Sequence, residues 1–449
     1  MVVPSFDRSV SLYRITMRFF ADFLPRLAML VVVLYGLKML VADPICWSKD
    51  DLSCVGLTAF TGTTRSRKHT VSPQGVISTS HLRDTSKHAS VELFKTDDFH
   101  NVTSDGEAHN HQPDKDPDSF GGVQARIYPS WTQEAIPCIP AETTWSNATV
   151  QKTPTTDGFL FLKTYKTGSS TASGIHIRMA RNIAQRRNVT PICKSRFDHA
   201  WASTLYHNLN REQSFLWTIV RQPTARIVSQ LFHFYVSRQG GNTTDESLIE
   251  RIRTDKAMTR DHYLSFMSLN GYRPNQHDPI QIANDIMQQY DFIAVTERMD
   301  ESVVAMAMLL NLPIADVMYL KAKGKGGFDD GGGGKCVLIQ RSFVSDGMKE
   351  YFRTPEYREI IQWDKLVYQA ANRSLDLTIE SLGRDEFEKN LARFRQGQQT
   401  AAETCLTSTR FPCTEDGLMR NQSETDCLWK DSACGSECLD QVATELHLW

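Results

Sequence analysis

Acidic residues are scarce in one long stretch of this 449-residue chain. Residues 160–240 contain twelve Lys or Arg but only two acids, Asp198 and Glu212, although the formal net charge of the whole chain is −2. A local excess of positive charge is typical of a surface that binds an anionic ligand. The alternative is a solvated basic face on an amphipathic helix, and one group of arginines fits that alternative better. That group is Arg178, Arg181, Arg186 and Arg187.

The chain also lacks the residue spacings of common metal sites. Five cysteines lie in its last 45 residues, separated by seven, thirteen, six and three residues with no His among them, which fits no zinc pattern. No acidic cluster in the basic stretch resembles a magnesium site, so we expect no metal. The close spacing instead predicts a disulfide-stapled module in an oxidising compartment. Because five is odd, one of them is expected to pair with Cys336, Cys193 or a partner chain. The five are Cys405, Cys413, Cys427, Cys434 and Cys438.

The apolar run near the N-terminus is short. Residues 27–42 are apolar except for Lys38, and as a helix they extend about 24 Å, against about 30 Å for a bilayer core. Because several arginines precede this run, the positive-inside rule predicts a type II signal anchor with residues 1–26 in the cytoplasm. A cleaved signal peptide is the alternative, but no clear small-x-small cleavage site follows. Sequons for N-glycosylation favour a lumenal address. They begin at Asn101, Asn147, Asn188, Asn242, Asn372 and Asn421.

Composition divides the rest of the chain into three parts. Residues 43–150 are rich in Ser, Thr, Asp and His with few periodic apolar positions, which predicts a largely disordered stem with Phe120-Gly-Gly122 as linker. An ordered domain is expected over residues 151–395, followed by a Cys-rich extension at 396–449. Within the domain, Gly324–Lys335 is of low complexity and predicts a mobile loop.

Apolar runs and helical patterns alternate along the predicted domain. Strands are expected at 159–162, 215–220 and 291–296, with a further apolar segment at 317–320, and helices at 170–187, 223–236, 300–310 and 355–382. Pro223 suits the first turn of its helix. Because each strand is followed by a helix, the pattern predicts an α/β domain with a mostly parallel central sheet flanked by helices.

The first strand is followed by a segment with the composition of a phosphate site. Lys163-Thr-Tyr-Lys-Thr-Gly-Ser-Ser-Thr171 leads into a helix, whose N-terminal amides and dipole favour an anion. Gly168 allows close approach of the backbone, and Ser169, Ser170 and Thr171 offer hydroxyl donors. The segment is not a Walker A sequence, because its lysines precede the glycine. A serine-capped helix after a buried strand is the alternative.

A second basic segment follows the next strand. Arg221 comes directly after the predicted strand and suits a bidentate contact with phosphate. Ser229 lies two turns along the following helix and is expected to reach the same anion. An arginine paired with a carboxylate is the alternative, although few acids lie nearby in sequence.

Together, FLKTYKTGSST and TIVRQPTARIVSQLFHFY resemble the paired nucleotide motifs of the Golgi carbohydrate sulfotransferases. The chain is most similar to the galactose 3-O-sulfotransferase group, which includes cerebroside sulfotransferase and carries a similar FLKTHKT loop. Further matching stretches are DHYL at 261–264, YDFIAVTE at 290–297, VMYLK at 317–321 and DKLVY at 364–368. The resemblance covers residues 157–380. It implies a P-loop-like sulfotransferase fold behind a single transmembrane helix, in the Golgi membrane with a lumenal catalytic domain.

The resemblance also implies a donor and an acceptor. The donor is 3′-phosphoadenosine 5′-phosphosulfate, with the first motif on its 5′-phosphosulfate and the second on its 3′-phosphate. The implied donor-binding residues are Lys163, Thr164, Lys166, Thr167, Gly168, Ser169, Ser170, Thr171, Arg221 and Ser229. The implied acceptor is a glycan or glycolipid, with the galactose 3-hydroxyl as the suggested position, and no nucleic acid partner is expected.

Catalytic roles follow from the same resemblance. Lys166 would contact the bridging oxygen of the donor, with Lys163 beside it, and His199 is the first choice of general base. His207 is the second choice of base and His262 the third, and acceptor contacts are the alternative expected from Tyr165, His207 and His262. Tyr165 departs from the family, which has a His at this position.

Two further histidines lie on predicted helices. His176 and His233 are expected to be core residues, because each lies among apolar positions of a helix. A lumenal P-loop kinase is a rival function, although the Gly-Lys order and a magnesium carboxylate are missing. A glycan-binding relative without turnover is the other rival.

Overall fold

A computed structural model describes residues 117–131, 157–188, 192–321, 328–330 and 335–449. The expected cytoplasmic tail and signal anchor lie outside the described residues, as does most of the expected stem. Among the residues that are described, no helix combines the length and apolar character needed to cross a bilayer.

The described chain contains ten strands and twelve α-helices. The strands are β1 (Ser119–Phe120), β2 (Val123–Gln124), β3 (Gly158–Leu162), β4 (Ser195–Asp198), β5 (Ser214–Val220), β6 (Phe292–Val295), β7 (Phe328–Asp330), β8 (Cys336–Leu338), β9 (Cys427–Trp429) and β10 (Ser432–Cys434). The helices are α1 (Ser169–Arg186), α2 (Ala202–Leu205), α3 (Pro223–Gln230), α4 (Asp245–Thr254), α5 (Lys256–Thr259), α6 (His262–Met267), α7 (Pro279–Gln289), α8 (Met299–Leu309), α9 (Asp346–Phe352), α10 (Pro355–Leu382), α11 (Arg384–Thr404) and α12 (Ser436–Glu445).

A four-stranded parallel sheet organises the domain, in the order β4-β3-β5-β6. Strands β3, β5 and β6 are buried along their whole length, as expected for a parallel sheet covered on both faces. The predicted α/β class and the three predicted strands are confirmed. Strand β4 was not predicted, because Ser195-Arg-Phe-Asp198 is a half-buried edge strand without an apolar run.

The predicted helices are confirmed with small changes at their ends. Pro223 and Pro355 each begin a helix, and the side chains of Gln222 and Thr354 accept backbone N–H groups of the first turn. Beyond Gln230 the helix continues as a π-helix over Leu231–Arg238. Such π-helical segments widen the backbone locally and are often found beside functional sites.

Three segments differ from the sequence-based predictions. Residues 317–320 form no strand, because Ile314–Val317 is a 3-10 helix and the buried side chains that follow pack without strand pairing. Part of the Gly-rich segment is ordered, since β7 pairs antiparallel with β8.

The expected linker at Phe120-Gly-Gly122 is the turn of the β1–β2 hairpin. Tyr128 beyond it is buried and meets Phe292 of the sheet edge-to-face at 5.0 Å, so residues 117–131 pack against the domain, with Val123 and Tyr128 in its core.

The Cys-rich extension is part of the same folded unit. The expected boundary at residue 395 falls inside α11, and three disulfides close the segment: Cys336–Cys413, Cys405–Cys438 and Cys427–Cys434. Cys336 is thus the outside partner for the odd cysteine. The prediction of a solvated basic face on α1 is wrong for Arg178, which is 1% exposed and bonds the carbonyl oxygens of Ala315 and Ser436. The extension covers this face of α1, which the sequence pattern alone did not indicate.

Candidate functional site

The segment between β3 and α1 forms a tight loop at the carboxyl end of the sheet. Lys166 and Gly168 both adopt positive φ angles, 59° and 74°, and Gly168 is the residue before the first turn of α1. This backbone course directs the first amide groups of α1 toward the loop, where an anion is favoured. Lys163 lies over the ring of Phe197 on β4, 5.6 Å from its centroid. The sequence-predicted strand, loop and helix are therefore present in the predicted order.

Two threonines of the loop are turned into the protein. Thr164 donates its hydroxyl to the carbonyl oxygen of Ile219 at 2.6 Å, and Thr167 donates to the carbonyl oxygen of Thr164 at 3.0 Å. Both side chains are completely buried. Their hydroxyls support the loop from below, while Ser170 and Thr171 are half-buried at the start of α1. Ser169 is nearly buried at the same turn.

Arg221 connects the second basic segment to the first. It follows the last residue of β5, and its Nη1 donates to the carbonyl oxygen of Lys166 at 3.2 Å. Glu297 lies 3.9 Å from its Nε, and burial lowers the pKa of Arg221. The two segments that the sequence places 55 residues apart are thus in direct contact at neighbouring strand ends.

Thr296 joins the same site from a third strand. Its hydroxyl lies 2.7 Å from the carbonyl oxygen of Thr167 and 2.8 Å from that of Val220. Since β5 lies between β3 and β6, this one side chain joins the end of β5 and the loop after β3 to the segment after β6. Glu297, the next residue, accepts the backbone N–H of Gln222 at 3.0 Å.

The helix after Arg221 carries one buried arginine and one half-buried serine. Arg226 is fully buried and is bound by Gln230 at 2.7 Å and by Asp364 at 3.4 Å. Burial raises the pKa of Asp364 to about 6, against the lowering effect of Arg226. Arg226 therefore makes its contacts in the interior of the domain, while Ser229 is half-buried on α3.

An aromatic cluster lies beside the loop lysines. Tyr165 stacks on His199, with ring centroids 4.7 Å apart and planes inclined by 5°. His199 Nδ1 lies 2.7 Å from the carbonyl oxygen of Lys163. A carbonyl only accepts, so we assign the proton of the neutral ring to Nδ1, which leaves the lone pair on Nε2. Phe266 and His262 also lie beside Tyr165, with ring centroids 5.4 Å and 6.3 Å from its own.

His262 is a buried member of this cluster. It is 5% exposed and stacks on Phe266 at 5.3 Å. Its Nε2 has no hydrogen-bond partner among the described residues. Burial, with the nearby charge of Arg226, holds the pKa of His262 well below its usual range, so the ring is neutral.

His207, the other predicted acceptor contact, lies elsewhere. It is exposed in the segment that leads to the start of β5, and its Nε2 is 2.9 Å from Asn208 Nδ2. The loop lies at the carboxyl ends of the parallel strands, whereas the segment with His207 leads to the amino end of β5. The structure therefore does not bring His207 to the site.

The predicted core histidines are confirmed. His176 is fully buried, and its Nδ1 accepts from Trp217 Nε1 at 3.1 Å. Burial lowers the pKa of His176 to about 3. His233 is 7% exposed on the π-helix, 3.5 Å from Asp329.

Sequence reasoning missed three residues that shape the site: Tyr263, Thr296 and Glu297. Thr296 and Glu297 directly follow a buried parallel strand, and that position is a usable signal because ligands bind at the carboxyl ends of such strands. Tyr263 gave no such signal, because it lies within a helix and not at the end of a strand.

Within the described part of the chain, no group of three or more His, Cys, Asp or Glu side chains is arranged to hold a metal ion. No family model, no curated protein and no solved structure matches the chain.

Proposed function

We propose that this protein is a sulfotransferase that moves a sulfuryl group from 3′-phosphoadenosine 5′-phosphosulfate to a hydroxyl of a glycan or glycolipid. The observation that carries the proposal is the contact between Arg221 Nη1 and the Lys166 carbonyl oxygen, 3.2 Å long. It joins two basic segments at adjacent strand ends into one anionic-ligand site. A donor with phosphate groups at both its 5′ and 3′ positions suits two such segments.

The donor would lie along the loop and the second segment. The amides at the start of α1, with Ser170 and Thr171, would hold the 5′-phosphosulfate, and Lys163 and Lys166 would supply positive charge. Arg221 and Ser229 would hold the 3′-phosphate. Thr164 and Thr167 contribute through the loop shape, because their hydroxyls are already bonded within the protein.

His199 is the proposed general base. Its Nε2 lone pair takes the proton of the acceptor hydroxyl while that oxygen forms a bond to sulfur. The bond between sulfur and the bridging oxygen breaks, and its electron pair stays on the 5′-phosphate. Lys166 neutralises the charge that develops there, which lowers the barrier. Tyr165 holds the imidazole ring by stacking, and His262 offers an unsatisfied nitrogen to the acceptor.

We also propose a lumenal, Golgi location with the N-terminal segment as membrane anchor. The three disulfides within residues 336–438 support an oxidising compartment, because such bonds are rare in reducing ones. Glycosidase treatment of the expressed full-length protein tests this location, because removal of N-linked glycans from occupied sequons shifts the gel mobility of the chain. A chain that carries no glycan would contradict it.

Transfer of labelled sulfate to a panel of glycan and glycolipid acceptors tests the activity. Lys166→Ala and Arg221→Ala are expected to abolish transfer. Lys349→Ala and Arg253→Ala are matched controls, because their side chains pair with Asp346 and Glu356 on the surface. Full activity in both site variants would contradict the proposal. Transfer of phosphate from ATP with magnesium would favour a kinase, and nucleotide binding without any transfer would favour a binding protein.

A further inference from the structure

The hydroxyl group of Tyr263 forms hydrogen bonds with both backbone polar groups of Arg221. It accepts the Arg221 N–H at 2.8 Å and donates to the Arg221 carbonyl oxygen at 2.5 Å. Tyr263 belongs to α6, lies 42 residues further along the chain and is completely buried. One phenol group thus satisfies both polar backbone groups of a single residue.

These two hydrogen bonds matter because Arg221 lies directly after the last residue of β5. The β5–β6 ladder ends at Val220, whose carbonyl oxygen is taken by Thr296. Two residues later Pro223 begins α3. Without ladder or helix bonds, the peptide groups on either side of Arg221 take their orientation from side chains. Thr296 bonds the Val220 carbonyl oxygen, Glu297 accepts the Gln222 N–H, and Tyr263 bonds both polar groups of Arg221 itself. That orientation decides where the guanidinium group points.

Tyr263 itself contacts both members of a buried ion pair, Asp364 and Arg226. Its backbone N–H donates to Asp364 on α10 at 2.8 Å, and Asp364 lies 3.4 Å from the guanidinium group of Arg226. Arg226 in turn lies over the Tyr263 ring, 5.7 Å from its centroid. Tyr263, Asp364 and Arg226 are all fully buried, so this support is shielded from water.

We infer that Tyr263 is a positioning residue for the donor site, which aims Arg221 at the 3′-phosphate of the bound nucleotide. The inference rests on the proposed function. The chain of contacts runs from the buried pair to Tyr263, from the Tyr263 hydroxyl to the Arg221 backbone, and from the Arg221 side chain to the loop carbonyl of Lys166. Tyr263 acts through Arg221 and touches no reacting atom.

Tyr263→Phe tests this role, because it removes only the hydroxyl. Calorimetric titration of the full-length protein compares adenosine 3′,5′-bisphosphate with adenosine 5′-monophosphate, which lacks the 3′-phosphate. We expect binding of the bisphosphate to weaken about fivefold to tenfold and binding of the monophosphate to stay unchanged. The donor KM should rise by a similar factor, while the acceptor KM stays the same.

Tyr290→Phe is the matched control. It removes another buried phenol hydrogen bond that involves α6, since Tyr290, the residue after α7, donates to the carbonyl oxygen of Met267 at the end of α6 at 2.8 Å. A general loosening of α6 would weaken binding in both variants, whereas the positioning role predicts an effect of Tyr263→Phe alone. Equal effects of the two substitutions would overturn the inference.

A double-mutant cycle with Arg221→Ala completes the test. If Tyr263 acts through Arg221, Tyr263→Phe has no further effect on bisphosphate binding in the Arg221→Ala background. Additive losses would overturn the inference but leave the proposed function standing. Failure of the unmodified protein to bind the bisphosphate would overturn the proposed function and the role of Tyr263 with it.

Discussion

The rings of Tyr165 and His199 lie parallel, with centroids 4.7 Å apart and planes inclined by 5°. Tyr165 is the loop position at which the sequence departs from the sulfotransferase motif behind the proposed function, and His199 is the proposed base. The stack therefore ties the unusual residue of the loop to the residue that we expect to accept the proton. It gives Tyr165 a role that does not require it to be a base.

The first prediction concerns this stack. Tyr165→Ala removes the ring that orients His199, so we expect kcat for sulfate transfer to fall about tenfold to a hundredfold, with donor affinity little changed. Tyr165→Phe keeps the ring and serves as the control, with most of the activity retained. Steady-state kinetics separate the two parameters. An equal loss in both variants would assign the effect to the phenol oxygen instead of the stack.

The second prediction concerns the support beneath the loop. Thr164→Val keeps the side-chain shape but removes the hydroxyl that donates to Ile219. We expect a loss of about 1–3 kcal/mol in the free energy of unfolding, because a buried carbonyl loses its partner, and weaker binding of adenosine 3′,5′-bisphosphate. Denaturant titration and calorimetry measure these quantities. Thr204→Val, at an exposed position of α2, is the control. No difference between the two variants would contradict the assigned role.

The third prediction concerns pH and Asp364. Burial raises the pKa of this carboxyl group to about 6 in the folded protein, whereas an unfolded chain protonates it near 4. Protonation therefore contributes stability that is fully present below about pH 4 and is lost as the pH rises through about 6. Relative to Asp364→Asn, the wild type is expected to lose about 2–3 kcal/mol of unfolding free energy between pH 4 and pH 7.

Denaturant titrations across that pH range check this dependence. Asp346→Asn is the control. The hydrogen bond from Lys349 lowers the pKa of the exposed Asp346 carboxyl group, so the contribution of this group to stability changes with pH in the opposite direction and is lost as the pH falls. Parallel stability profiles for wild type and Asp364→Asn would show that Asp364 keeps an ordinary pKa.

The fourth prediction concerns the close contact between α1 and the Cys-rich extension. A Cβ atom on Gly174 would lie 2.7 Å from the backbone nitrogen of Ala433, which has no room to yield. We expect Gly174→Ala to destabilise the protein by about 1–3 kcal/mol, because overpacking outweighs the gain in helix propensity.

Gly397→Ala on α11 is the matched control for this contact. Its Cβ atom would meet the end of the Leu448 side chain, also at 2.7 Å, and that group is able to move. Its expected thermal midpoint is therefore close to that of the wild type. Equal midpoints for both alanine variants would contradict the close docking of the extension on α1.

The order of elements was predictable from the sequence. Gly158–Leu162, Ser214–Val220 and Phe292–Val295 are buried on both faces, so they read as continuous apolar runs. Proline marked the starts of α3 and α10 because it fits only the first helical turn. The half-buried β4 and the β1–β2 hairpin carry no such pattern, so they escaped prediction.

The candidate site was predictable only in part. The loop lysines and Arg221 stand out because charge beside a buried strand is unusual in sequence. His207 could not be separated from His199 and His262, because sequence distance does not tell which edge of the sheet a side chain reaches. The inward turn of Thr164 also depends on the neighbouring strand, whose Ile219 carbonyl oxygen accepts its hydroxyl.

The sequence by itself determined the local structure: which segments are strands and helices, and where the loop with Lys163, Lys166 and Gly168 lies between them. Periodicity, proline placement and glycine act over a few residues, so they are legible in the chain. Only the tertiary structure decided what supports the loop. Tyr263, Thr296 and Asp364 meet Arg221 and its neighbours from distant parts of the chain. The burial of Arg178 was decided in the same way, because its partner Ser436 lies in an extension more than 250 residues away.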